Sequence, residues 1–177
     1  MTVTRFYAGW DRYNAYFVDA IRGLTPEQLA IRPAPNLMPI WGTVAHTAGA
    51  RAYWLCGVLG EPGVEKTPFD PDFLASGFGW EDDESHPRSA DELVTALETT
   101  WDVVAGCLER WTPELLEEPF TREYGGRRSV HTRQSVLMRM LSHDAYHCGE
   151  LSQTLGIHGL PQIDLWPPQR TSSEPQT

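Results

Sequence analysis

Four separate segments of this chain repeat apolar side chains at three- and four-residue steps, the period of one face of an α-helix. The first runs from about Arg5 to Arg22, where Trp10, Tyr13, Phe17, Ile21 and Leu24 recur and Gly23 supplies a stop. The second runs from about Ile40 to Leu59 and is dense in small residues; Gly42, Gly49 and Ala50 share a face with His46 and Tyr53. Such a face either admits another helix closely or leaves room for a cavity. The third opens on a capping box, Ser89-x-x-Glu92, and carries Leu93, Leu97, Thr100, Trp101, Val104 and Leu108 before ending near Trp111. The fourth runs from about Thr132 to Leu155, stops at Gly156, and aligns Val136, Met140, His143, His147, Leu151 and Thr154. No segment is strand-rich. The pattern predicts an all-α protein built as a four-helix bundle.

The connections refine this. Thr25-Pro26-Glu27-Gln28 reads as a short capped turn, and Pro33 to Pro39 holds three prolines and must be extended or turned. Phe120 to Val130, with Gly125-Gly126, reads as a turn or small hairpin. Gly60 to Arg88 is long and irregular and carries Phe69, Phe73, Phe78 and Trp80. It is either a functional lid or a loop pinned to the bundle by its aromatics. Its length between the second and third helices argues against an up-down-up-down bundle with short loops.

At 177 residues the chain predicts one domain, over residues 1–166, and the sequence PPQRTSSEPQT at 167–177 reads as a disordered tail. Fourteen Lys+Arg against 24 Asp+Glu leave a net charge of −10, which argues against nucleic acid and against an anionic membrane surface as partners. No run approaches the length of a membrane span, and the first residues lack the basic and apolar regions of a signal peptide. Cys56, Cys107 and Cys148 are widely spaced, with no C-x-x-C, so neither a disulfide framework nor a zinc ribbon is indicated. A reduced, cytoplasmic setting fits. Seven Trp and six Tyr suit either a homodimer interface or the interior of the bundle.

The chemistry concentrates in three histidines. His143 and His147 stand four apart on one helix, so their imidazoles lie one turn apart on the same face. They occupy the apolar stripe, where two unpaired imidazoles are costly to desolvate and one metal ion satisfies both. The alternative is an ordinary hydrogen-bonded core. His46, on the small-residue face of the second helix, is the candidate third ligand. The H-E-x-x-H pattern of metalloproteases is not met, because Asp144 stands at the position of the Glu. Glu150 is either an acceptor for an imidazole N–H or a solvated polar residue. Cys148 is rotated about 100° from His147 and reads as core. His86, His131 and His158 read as surface residues.

Three pieces of the sequence now carry a resemblance. Leu24-Thr25-Pro26-Glu27-Gln28-Leu29, then Trp41-Gly42-Thr43-Val44-Ala45-His46, then His143-Asp144-Ala145-Tyr146-His147-Cys148-Gly149-Glu150-Leu151 resemble, in this order, the DinB-like family, which includes bacillithiol transferases and mycothiol-dependent maleylpyruvate isomerases. The last piece is similar to the family's H-x-x-x-H-R-G-Q pattern, with Cys148 in place of Arg and Glu150 in place of Gln. The resemblance covers roughly Arg5 to Leu160. It implies an up-down-down-up bundle, a divalent metal, zinc or nickel, on His46, His143 and His147, and homodimers.

Three neutral histidines leave a 2+ ion with an open position. Filled by a low-molecular-weight thiol, which a metal deprotonates, it predicts S-transfer to a small electrophile or thiol-dependent isomerisation. Filled by water, it predicts a hydrolase. A closed site with a fourth protein ligand predicts a non-catalytic metal-binding protein. In the enzyme reading, Gly60–Arg88 roofs the pocket that the open position faces.

Overall fold

The computed structural model describes residues 2–165; the expected tail at 167–177 lies outside the described residues. The fold is mostly helical. Its long helices are α1 (Asp11–Ile21), α3 (Ile40–Ala52), α5 (Ala90–Arg110) and α7 (Arg133–Ile157). Short helices α2 (Pro26–Leu29), α4 (Pro71–Ser76) and α6 (Pro113–Glu117) lie between them. Strands β1 (Pro119–Tyr124) and β2 (Arg127–Thr132) pair as an antiparallel hairpin. The hairpin lies where Phe120 to Val130 predicts a turn or small hairpin, and it adds two strands to the expected all-α bundle. Its two-residue turn places Gly125 at φ 57° and Gly126 at φ 72°, and such a turn needs a positive φ at both positions.

Helix α3 packs against α5 and α7, and α1 packs against the same two helices. Buried apolar residues follow the helical period. Phe17, Ile21, Leu93, Leu97 and Leu137 are fully enclosed, each worth roughly 1.5–3 kcal/mol of burial. Helix α3 is buried on almost every side, as its small and apolar composition requires. The cap at Thr25 and the capping box at Ser89 form as the sequence predicts; Thr25 also closes a box with Gln28, and Thr132 closes one with Ser135.

Two helices differ from their expected form. The first is not continuous from Arg5. A 3-10 turn over Val3–Tyr7 is separated from α1 by Gly9, whose φ of 94° a right-handed helix cannot continue. The break lets the N-terminal segment lie on the end of α5, where Val3 N donates to Trp111 O and Thr4 Oγ1 to Leu108 O. The second predicted helix does extend to Val58, but Tyr53–Val58 widens to π geometry, with Leu59 N donating to Trp54 O. Tyr53 and Trp54 of this segment line the cavity described below, and π segments are frequent at functional sites.

The connection after α3 is pinned by its aromatics. Phe69 is buried, with its ring 5.0 Å from Phe73 and 4.9 Å from Trp80. A Cβ at Gly49 would lie 3.3 Å from the Phe73 ring and 3.7 Å from that of Phe69, so at Gly49 the small-residue face of α3 receives the aromatics of the connection, Phe73 coming from the short helix α4.

Candidate metal centre

Helix periodicity brings the three predicted histidines together. His143 and His147 project from one face of α7, and His46 comes from α3 packed against it. Nε2 of His143 lies 3.0 Å from Nε2 of His46 and 3.2 Å from Nε2 of His147. Tetrahedral zinc with bonds of about 2.0–2.1 Å separates its ligand nitrogens by about 3.3 Å. Two of the three spacings match this, and all three ligand nitrogens lie within 4.8 Å of one another, so the group could hold one small divalent ion.

The outer nitrogens fix the ring orientations. His46 Nδ1 lies 2.6 Å from Glu81 Oε1, and His147 Nδ1 lies 2.7 Å from Glu150 Oε2. A carboxylate only accepts, so both Nδ1 atoms carry the proton, and in the neutral tautomer both Nε2 lone pairs are bare. They point at His143 Nε2, which can supply at most one hydrogen. Lone pairs converging in this way suit a cation. The hydrogen bond that His46 donates to Glu81 raises the pKa of His46, and burial lowers that of His147. Burial, reinforced by the other two imidazoles, pushes His143 down to about 3, so it is neutral and ready to ligate. Glu150 is thus an imidazole acceptor. Glu81, from the long connection, was not singled out by the sequence; its second carboxylate oxygen is buried without a hydrogen-bond partner.

Directly beneath the triad, a buried ion pair ties α3 to α7. Arg51 reaches Asp144 through Nη2 at 2.9 Å and Nε at 3.3 Å, and its Nη1 donates to Asn14 Oδ1 at 2.6 Å. Trp10 Nε1 donates to Asp144 Oδ2 at 2.7 Å. Both Asp144 oxygens are thus engaged by Arg51 and Trp10 and not by a histidine. Arg51 stands five residues after His46, and Asp144 one after His143, so this pair fixes how far apart the ligands sit.

Cys148 is core, as expected. All three cysteines are free and buried, and burial pushes their thiols up, Cys56 and Cys148 to about 11 and Cys107 to about 12. His86 and His158 are exposed, whereas His131 corrects the surface reading: it is half-buried, stacked on Phe120 at 5.6 Å and edge-on to Trp54 at 5.7 Å.

A cavity of about 360 Å³ opens beside His46 and His143. The long connection gives it Phe73 and Glu81, the π segment Tyr53 and Trp54, the hairpin Arg122, and α7 Arg139. The connection therefore forms one wall, and the hairpin, to which the sequence reading gave no role, forms part of another.

A helical bundle with three histidines gathered between two helices defines the class. The sequence profile of the DinB superfamily matches residues 5–151, and the chain belongs to that superfamily. Two solved structures share the fold. A DinB-like protein from Bacillus cereus superposes with a TM-score of 0.67 at 20% identity, covering 93% of this chain and 97% of that one. A DinB-like protein from Bacillus subtilis gives a TM-score of 0.58 at 18% identity, covering 93% and 95%. No curated protein matches the chain. No helix among the described residues is long and apolar enough to cross a membrane.

Proposed function

We propose that His46, His143 and His147 hold one divalent ion, zinc or nickel, and that the site is an enzyme's, transferring a small thiol to an electrophile. The observation that carries this is the convergence of three Nε2 atoms, with His46 and His143 lining an open cavity and no thiol or carboxylate joining the group among the described residues. A coordination position is thereby left for a reactant. When bound, such an ion supplies the Lewis acidity that makes a thiol a thiolate at neutral pH.

The chain's own residues do the rest. Glu81 and Glu150 hold the imidazoles in the ligating tautomer, and their two negative charges offset the ion's two positive ones. Arg51 and Asp144 hold α3 at ligand distance from α7. The protein's cysteines are poor nucleophiles, being buried with raised pKa values, which favours a nucleophile that comes from solution.

The long helices, in this reading, run up-down-down-up. Val3 beside Trp111 and Trp10 beside Trp101 support an antiparallel α1 and α5. Arg51 on Leu97 and Glu61 on Arg110 support a parallel α3 and α5.

The test is consumption of thiols such as cysteine, N-acetylcysteine and glutathione with 1-chloro-2,4-dinitrobenzene. Turnover should vanish in chelator and return with zinc or nickel. Thiol transfer that persists in metal-free protein would contradict the reading.

A further inference from the structure

The cavity beside the histidines carries two cations that rest on aromatic rings and have no ion-pair partner among the described residues. Arg122 enters from β1 and Arg139 from α7, and both guanidinium carbons lie 4.9 Å from the ring centroid of Trp54. Arg122 also lies over Tyr53 and Tyr124, at 5.5 and 4.5 Å, and donates to the Tyr53 hydroxyl. Among the described residues neither arginine has a carboxylate within ion-pair distance. The two carboxylates that line the cavity are engaged elsewhere, Glu81 on His46 and Asp144 on Arg51.

In a chain of net charge −10, two unpaired guanidiniums in one cavity are a local reversal of sign. A guanidinium lying on an aromatic ring keeps N–H groups at its edge free for a planar acceptor. The cavity's size is that of a small-molecule site. Its aromatic wall offers apolar surface next to the charge.

We propose that this cavity seats a small organic carboxylate, with the anionic group held by Arg122 and Arg139 and the apolar body against Trp54 and Tyr53. The substrate or cosubstrate of the site is then an acid. This deepens the functional reading above and rests on it for what happens at the reacting end. The anion seat itself needs only the arginines, so the two ideas fail separately.

The experiment is a ¹H–¹⁵N NMR titration of the full chain, in chelator and at low salt, with phenylacetate and with its neutral isostere phenylacetamide. Phenylacetate should move the Nε–H signals of Arg122 and Arg139 and the indole signal of Trp54, and should bind about tenfold tighter than the amide or better. Its affinity should fall as sodium chloride is added. Arg122→Gln and Arg139→Gln, both at the cavity mouth and outside the core, should each weaken the acid about tenfold and leave the amide unchanged. Equal affinity for acid and amide, an unchanged affinity in the double variant, or no saturable phenylacetate binding up to about 50 mM would overturn the proposal. Chelator removes metal from every arm, so a failure of the histidines to bind zinc leaves these outcomes readable.

Discussion

Replacing Asp144 with Ala should be among the most destabilising single changes in this protein. Arg51 is 1% exposed and Asp144 0%, so the substitution strands a guanidinium in the core with only neutral acceptors, Asn14 Oδ1 and Leu97 O. It also removes the acceptor of the Trp10 indole N–H. Breaking a buried pair from one side costs about 3–5 kcal/mol. At 2–4 °C per kcal/mol for a domain of this size, the thermal midpoint should fall by roughly 6–20 °C. The assay is urea and thermal unfolding followed by far-ultraviolet circular dichroism, in chelator so that no metal contributes. The double variant Arg51→Met with Asp144→Leu should recover much of the loss, because no charge is then left buried. Recovery should be incomplete, since Trp10 and Asn14 each lose a partner, at about 1–3 kcal/mol per unsatisfied group. A loss under about 1 kcal/mol for Asp144→Ala, or strict additivity in the double-mutant cycle, would refute the reasoning.

Glu81→Gln should weaken zinc affinity about 10–100-fold, as loss of a ligand's hydrogen-bonded carboxylate does, measured by competition with a chromophoric chelator; unchanged affinity would remove Glu81 from the site. Thiolate at Cys56 and Cys107 forms only as pH rises toward about 11 and 12. Iodoacetamide at pH 8 should therefore label the folded protein far more slowly than the urea-unfolded one, and equal rates followed by mass spectrometry would contradict the burial. The homodimer expected from the sequence has a candidate face in the groove bordered by Phe6, Tyr7, Met138 and Leu141, where Phe6 is 71% and Met138 51% exposed. Light scattering at low micromolar concentration should give twice the chain mass, and a mass near 20 kDa would refute it.

The four long helices were legible because apolar periodicity and capping residues are local signals, as at Ser89 and Glu92. The triad was legible for a related reason. An i, i+4 histidine pair on an apolar stripe has one geometric meaning, and His46 sits on a face too small-sided to fill the space itself. Glu81 was not legible, because a loop residue's partner depends on how Phe69, Phe73 and Trp80 anchor that loop. The Arg51–Asp144 pair left a signal in the sequence that went unused: Arg51 is a charged residue in an otherwise apolar run, from Ala48 to Leu55, on a helix buried all round. The break at Gly9 and the widening at Tyr53–Val58 answer to tertiary packing, which periodicity does not encode. Arg122 reached the cavity only through the hairpin register, Tyr124 opposite Arg127, that places Phe120, Arg122 and Tyr124 on one face.

The measurement that bears most directly on the metal centre is elemental analysis of protein purified without a metal-affinity tag, beside the His143→Ala variant. The proposed site predicts one divalent ion per chain in the natural sequence, zinc or nickel if the family resemblance holds for the metal, and almost none in the variant, because two imidazoles hold a divalent ion weakly against buffer. Metal-free natural protein that takes up no added zinc, or full occupancy in His143→Ala, would contradict the three-histidine site.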